Sequence, residues 1–214
     1  MKLTGIIMSG SHPVDILELR KTKTRRTYGL EKVNKDPGAW QLVAVFQDGK
    51  ARFYNPTTEQ DITITCPYGG FGDQLWVKET RLEDTHGFHS YWADYLPEEE
   101  RTRDGVAVNV LGGLKAGLYW KKSSMFMPRK YSRLLLEITS LGAERVQKIT
   151  EEDAVAEGTV INDFFPVGTA MIAGLSTVDY FAQLWDSLNA KRGYGWEKNP
   201  WVWPIGFKLL NGQY

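Results

Sequence analysis

The strongest periodic signal in the chain is a helical stripe near its C-terminal end. Beginning at Ser176, with an acid three residues on at Asp179, the apolar residues Val178, Phe181, Ala182, Trp185 and Leu188 recur at intervals of three and four. That spacing places them along one face of an α-helix, which must be buried against something. Elsewhere the apolar residues alternate. Leu134, Leu136 and Ile138 do so within Arg133 to Thr139, and Trp201 to Leu209 sets large apolar residues against smaller or polar ones. A period of two predicts half-buried strands, and Pro204, which has no backbone donor, predicts an edge or a bulge in the last of them. Gln41 to Phe46 and Ala51 to Tyr54 flank Asp48-Gly49, a pair that tolerates the positive φ of a tight hairpin turn. The turn-rich Gly69-Gly70-Phe71-Gly72-Asp73 leads into Gln74 to Glu79, a further predicted strand.

Two shorter helices are expected. Ser11 and Pro13 precede Val14 to Leu19, and Thr150 heads Ile149 to Gly158, with Asp153 completing a capping-box pattern and Gly158 ending it. At about two turns, the second needs tertiary packing to exist. Residues 81 to 122 show no sustained period and read as a long insertion with local structure. The order of elements predicts an α+β chain, a small mixed β-barrel flanked by helices, in one domain spanning 1–214.

Composition narrows the function. Hydrophobic residues make up 42% of the chain, enough for a real core, and most of the eight Trp read as part of it. Lys plus Arg number 26 and Asp plus Glu number 26, so any basic function must be local. Cys66 is the only cysteine, which excludes an intramolecular disulfide and zinc sites built on paired cysteines, and suits a reducing cytoplasm. Met1 to Gly10 is too polar for a signal-peptide core, and no apolar run approaches the roughly 18 residues of a membrane span.

The candidate functional residues begin with Arg20-Lys21-Thr22-Lys23-Thr24-Arg25-Arg26, a run with five cations in seven residues. Such density either decorates a helix end, where cations offset the partial negative charge, or awaits an anion. Lys21 and Thr24 meet on one face if the helix extends through Thr24; an extended chain separates them. Glu157 falls in the last turn of its short helix, where the partial charge disfavours a carboxylate and tends to keep a proton on it. The bland alternative is an ordinary exposed glutamate. His86 and His89, with Glu83 and Asp84, are loosely spaced and lack a surrounding motif, so neither a metal nor another cofactor is expected. Gly69 to Gly72 leads into a strand and not a helix, unlike a phosphate-binding loop. Cys66, followed by Pro67, reads as structural.

At the basic run the sequence resembles the ASCH family of the PUA-like superfamily, whose signature is Gly-Arg-Lys-Thr, one variable residue, then Thr and basic residues. Leu19 stands where that Gly usually is. Gly72 to Thr80, Met127-Pro128-Arg129, Ile149 to Gly158, Gly195-Trp196 and Asn199-Pro200-Trp201-Val202 are similar to the larger ASCH proteins of bacteriophages and prophages. The resemblance implies a PUA-like barrel with a cleft for a nucleoside, RNA or other single-stranded nucleic acid, in the cytoplasm of a bacterial host. One branch of the family is an amidohydrolase that removes the acetyl group of N4-acetylcytidine with a Lys and a Thr of the signature and a Glu beyond it. By position these are Lys21, Thr24 and Glu157. In that reading Thr24 attacks or orients a water, Lys21 takes up a proton or steadies the oxyanion, and Glu157 passes protons to the departing amine. Arg20, Arg25, Arg26 and Arg129 are then expected to hold phosphate, Trp76 to offer a stacking surface, and Glu79 to join the binding residues. A nucleic-acid-binding module without catalysis is the alternative.

Overall fold

The structure, a computed structural model, describes residues 1–84, 87–95, 120–159 and 175–212. Its centre is a mixed sheet. Strand β1 (Leu3–Ile7) runs parallel to β6 (Gln74–Lys78); β6 pairs antiparallel with β10 (Leu134–Leu141), and β10 with the long β12 (Trp201–Gly212). On the far side of β12 lies β2 (Lys23–Arg26), also antiparallel. The two-residue β11 (Glu144–Arg145) keeps the register of β10 past a break at residues 142 and 143: Leu141 faces Ile205, and Glu144 faces Val202.

The α+β class and the mixed sheet agree with the sequence; the ladders differ from the expected barrel in not closing. Strands β1 and β2 end the sheet, and among the described residues no ladder joins them. What crosses the gap is a side chain, since Arg26 Nη2 donates to the Ile7 carbonyl at 2.7 Å. An edge acceptor that would otherwise seek a strand is thereby occupied.

The edge position expected for Pro204 also needs correction, because β12 is paired on both sides there. Pro204 lies beside the break between β10 and β11, where its carbonyl accepts from Gly142 N at 3.0 Å. Its missing donor therefore falls where the ladder is already interrupted. The bulge nearest to it belongs to β10, between Ile138 and Ser140, and the one in β12 falls at Leu210.

Two cores sit on the faces of β12. Trp201, Trp203, Ile205 and Phe207 point into one, with Ile6, Phe53, Leu75, Leu136 and Ile138; Val202 points into the other. The hairpin expected at Asp48-Gly49 forms between β3 (Gln41–Val45) and β4 (Lys50–Asn55), with Gly49 at φ +87°, and β5 (Gln60–Thr65) extends it to three strands. This small sheet packs on the first core, Phe53 meeting Trp201 edge-on at 5.1 Å between ring centres. The ends of the expected insertion pair with one another as β7 (Arg81–Asp84), β8 (Gly87–Tyr91) and β9 (Trp120–Lys122). His86 lies outside the described residues.

Among the described residues, three α-helices complete the fold: α1 (His12–Leu17), α2 (Glu151–Ala156) and α3 (Thr177–Asn189). Ser176 and Asp179 cap α3 reciprocally, and Phe181 and Trp185 fill the second core with Val146, Ile149, Ala154 and Val202. The stripe read from the sequence is otherwise shifted, because Tyr180 is buried and Leu188 is half exposed. The Glu151 carboxylate of α2 accepts from Thr177 N at 2.9 Å, so one short helix caps the next. None of these helices is long and apolar enough to cross a membrane.

Candidate functional site

Helix α1 stops at Leu17, six residues short of β2, so the basic run is not helical at Thr24. Leu19, at the position of the family's usual Gly, adopts φ +60° and is exposed. A side chain costs on the order of 1–2 kcal/mol in this conformation, which Gly would avoid. The turn brings Lys21 alongside the end of α2, where Lys21 and Glu157 form an antiparallel bridge and Thr22 N donates to Ala156 O at 2.8 Å. Gly158 makes that approach possible. It has φ +79°, and a Cβ there would stand 3.3 Å from Lys21 Cβ; only Gly meets both demands without strain.

Lys21 is 1% exposed and donates through Nζ to the Glu157 carbonyl at 2.5 Å and to Glu157 Oε2 at 3.0 Å. Burial lowers its pKa, an effect that Glu157 offsets only in part. Arg25, from β2, donates to Glu144 Oε1 at 2.9 Å, Asp153 Oδ2 at 2.5 Å and Glu157 Oε1 at 3.3 Å. Burial pulls the Arg25 pKa down, but those three carboxylates outweigh it and the net shift is upward. Lys23 pairs with the other oxygen of Asp153. The Asp153 carboxylate, expected to complete a capping box, is thus held by β2, while Thr150 still accepts from Asp153 N at 3.2 Å. Arg20 pairs with Asp15 at 2.5 Å and with Glu18. For four of the five neighbouring cations, the implied repulsion is relieved by the protein's own carboxylates.

A cavity of about 270 Å³ opens between the ends of β1 and β2 and the face of α3. Thr24, Arg25, Arg26 and Glu157 line it together with His12, Tyr28, Tyr68, Trp185, Leu188 and Arg192. Lys21 lies behind this wall, bonded to Glu157. The Thr24 hydroxyl has no hydrogen bond to another described residue. Four predicted site residues lie elsewhere, the first being Arg20, held by Asp15 and Glu18 and absent from the cavity wall. Trp76 packs on Gly5 of the neighbouring strand, where an added Cβ would meet its ring at 2.8 Å. Glu79 is buried and bound through both oxygens by Arg133, at 3.1 and 2.9 Å. Arg129 sits on an exposed turn, Arg129–Tyr131.

Sequence reasoning missed His12, Tyr28, Tyr68 and Arg192. Tyr28 follows the basic run directly, a usable signal; the others are brought in only by packing. Burial, followed by the neighbouring Lys21 and Arg26, holds the His12 pKa well below its ordinary 6.5. The unfolded chain therefore binds a proton that the folded one refuses, and stability rises with pH up to about 6.5 before levelling off. Urea unfolding should show this slope, at most about 1.4 kcal/mol per pH unit. His12→Gln should flatten it, and an unchanged slope would remove His12 as its source.

No family model and no curated protein matches the sequence. Two solved structures match the chain at low similarity. A DUF984 family-model protein from Enterococcus faecalis has 10% identity and a TM-score of 0.39, the match covering 99% of this chain and 77% of that one. An ASCH domain from Lactobacillus crispatus has 11% identity and a TM-score of 0.37, covering 98% and 80%.

Proposed function

We propose that the cavity is an amidohydrolase site for an acylated nucleoside of the N4-acetylcytidine kind, in an ASCH-type protein of a bacterial or phage-derived cytoplasmic setting. The observation that carries this reading is the buried contact between Lys21 and Glu157, with Thr24 opening on the same cavity as the Glu157 carboxylate. A 270 Å³ space falls just below the roughly 300–1,000 Å³ of drug-sized sites, which suits one nucleoside better than a strand. Trp185, Leu184 and Phe181 offer apolar surface for a base.

The chemistry follows from the placement. Glu157 takes a proton from a water that Thr24 orients; the resulting hydroxide adds to the acetyl carbonyl carbon. The carbon–nitrogen bond then breaks, and Glu157 returns the proton to the departing amine, leaving acetate and the free nucleoside. Lys21 and Arg25 hold the carboxylate in position.

A second reading, nucleic-acid binding without catalysis, is favoured by one surface. Along the chain, the exposed Lys121, Lys122, Arg129 and Lys130 flank Phe126, which is 77% exposed, and cations interleaved with an aromatic ring suit single strands. One experiment separates the two. The protein is incubated with N4-acetylcytidine while cytidine is followed, and is titrated in parallel with short RNA at rising salt. Cytidine release is the expected result; no release at high protein concentration, with RNA affinity falling steeply with salt, would replace the first reading by the second.

A further inference from the structure

Of the five cations between Arg20 and Arg26, four are engaged by carboxylates. Arg26 is the exception among the described residues. Its Nη2 is spent on the Ile7 carbonyl and on Met8 Sδ at 3.3 Å, while its Nε is buried with no acceptor. Arg26 lines the cavity, and so does Arg192, from the turn Ala190–Arg192 that follows α3. Arg192 also has no carboxylate partner among the described residues; its Nη1 reaches Asn189 Oδ1 at 3.5 Å, and its guanidinium lies 5.8 Å from the centre of the Tyr194 ring. Tyr68 lines the cavity with them. Burial raises the pKa of its phenol, and the charges of Arg26 and Arg192 oppose that rise without cancelling it.

The wall therefore carries two positive charges without a carboxylate partner among the described residues, and Tyr28 and Tyr68 line the same cavity. The Glu157 charge, by contrast, is already balanced by Lys21 and Arg25. Arg26 keeps its charge and its Nη1 for a phosphate oxygen, Arg192 keeps most of its donors, and two guanidinium charges match a dianion better than a carboxylate. We infer that Arg26 and Arg192, with Tyr28 and Tyr68, form a clamp for the terminal phosphate of a mononucleotide, so that the cavity takes nucleoside monophosphates in preference to nucleosides. This rests on the reading of the cavity as a nucleoside site and narrows its ligand class. Arg26 is held to β1 by the Ile7 carbonyl, so the clamp is preorganised on that side. Arg192 stands at the exposed rim, where an entering phosphate meets it first.

The test is calorimetric titration of the full chain with the four ribonucleosides, their 5′-monophosphates, inorganic phosphate, and trinucleotides with and without a 5′-phosphate. At least one monophosphate should bind about tenfold or more tightly than its nucleoside, inorganic phosphate should compete, and Arg26→Ala should reduce the preference. Because Arg26→Ala removes a contact that spans the sheet gap, Arg192→Ala on the exposed turn gives the independent check and should erase most of the preference. Equal affinity for nucleoside and monophosphate, no binding of any monophosphate, or an unchanged preference in Arg192→Ala would overturn the clamp. So would a 5′-phosphorylated trinucleotide that binds more tightly than the monophosphate. Phosphate preference without turnover of an acetylated substrate would leave the clamp and remove the amidohydrolase; turnover without phosphate preference would do the reverse.

Discussion

Lys21→Met is expected to destabilise the protein by about 3–5 kcal/mol and to abolish release of cytidine from N4-acetylcytidine. The side chains of Lys21 and Glu157 are 1% and 7% exposed, so removing the ammonium leaves a carboxylate enclosed with only the longer Arg25 contact at 3.3 Å. It also leaves the Glu157 carbonyl without the donor that joins α2 to the lead-in of β2. Methionine keeps most of the volume, so the loss reads charge and hydrogen bonding and not a cavity. Urea unfolding of the wild type, the single variant and the double variant Lys21→Met with Glu157→Gln isolates the pair. The double variant should recover part of the stability and none of the activity, since a neutral amide needs no buried counter-charge but cannot accept a proton from water. A loss below about 1 kcal/mol in the single variant would place the pair among the solvent-screened ones and deprive the site of its buried base.

Arg25→Ala is expected to cost a similar 3–5 kcal/mol, and Arg25→Lys to restore little of it. One guanidinium, its side chain 1% exposed, serves Glu144, Asp153 and Glu157 together. A single ammonium cannot present the fork those three directions require. The variant also alters the response to acid. Burial raises the Asp153 pKa, but bonds from Lys23 and Arg25 outweigh it and hold the group below 3.8. A depressed carboxylate contributes stability that is present above 3.8 and lost as pH falls through its folded value. Without Arg25 that depression shrinks, so less of the contribution exists to be lost. Chemical unfolding at neutral and acid pH reads both effects, and full stability in Arg25→Lys would show that charge alone, without the fork, holds the three carboxylates.

Much of the framework was legible in the residues. The strands at Leu134 and Trp201, the hairpin at Asp48-Gly49 and the helix capped by Ser176 follow from periods and turn chemistry that each segment carries within itself. Their legibility is physical: alternation records which residues face a core, and a capping residue acts within a few positions of itself. The resemblance to a family singled out Lys21, Thr24 and Glu157 before any coordinates did, and the chain brings the first and last into contact across 136 residues. It could not say what the cations were for. From the sequence, Arg20, Arg25, Arg26 and Arg129 were alike, and Trp76 was an expected stacking surface.

Tertiary structure sorted them, because an ion pair depends on which distant elements packing sets side by side. Docking α2 against the lead-in of β2 delivered Glu157 and Asp153 to Lys21, Lys23 and Arg25, and the return of β10 into β11 delivered Glu144. Arg26, left over, became the side chain that spans an unclosed sheet and faces the cavity. Trp76 and Glu79 were drawn instead to Gly5 and Arg133. Local order, readable at short range, thus determined the elements; the long-range balance of burial and charge, which no segment holds alone, decided which charged groups stayed available to a ligand.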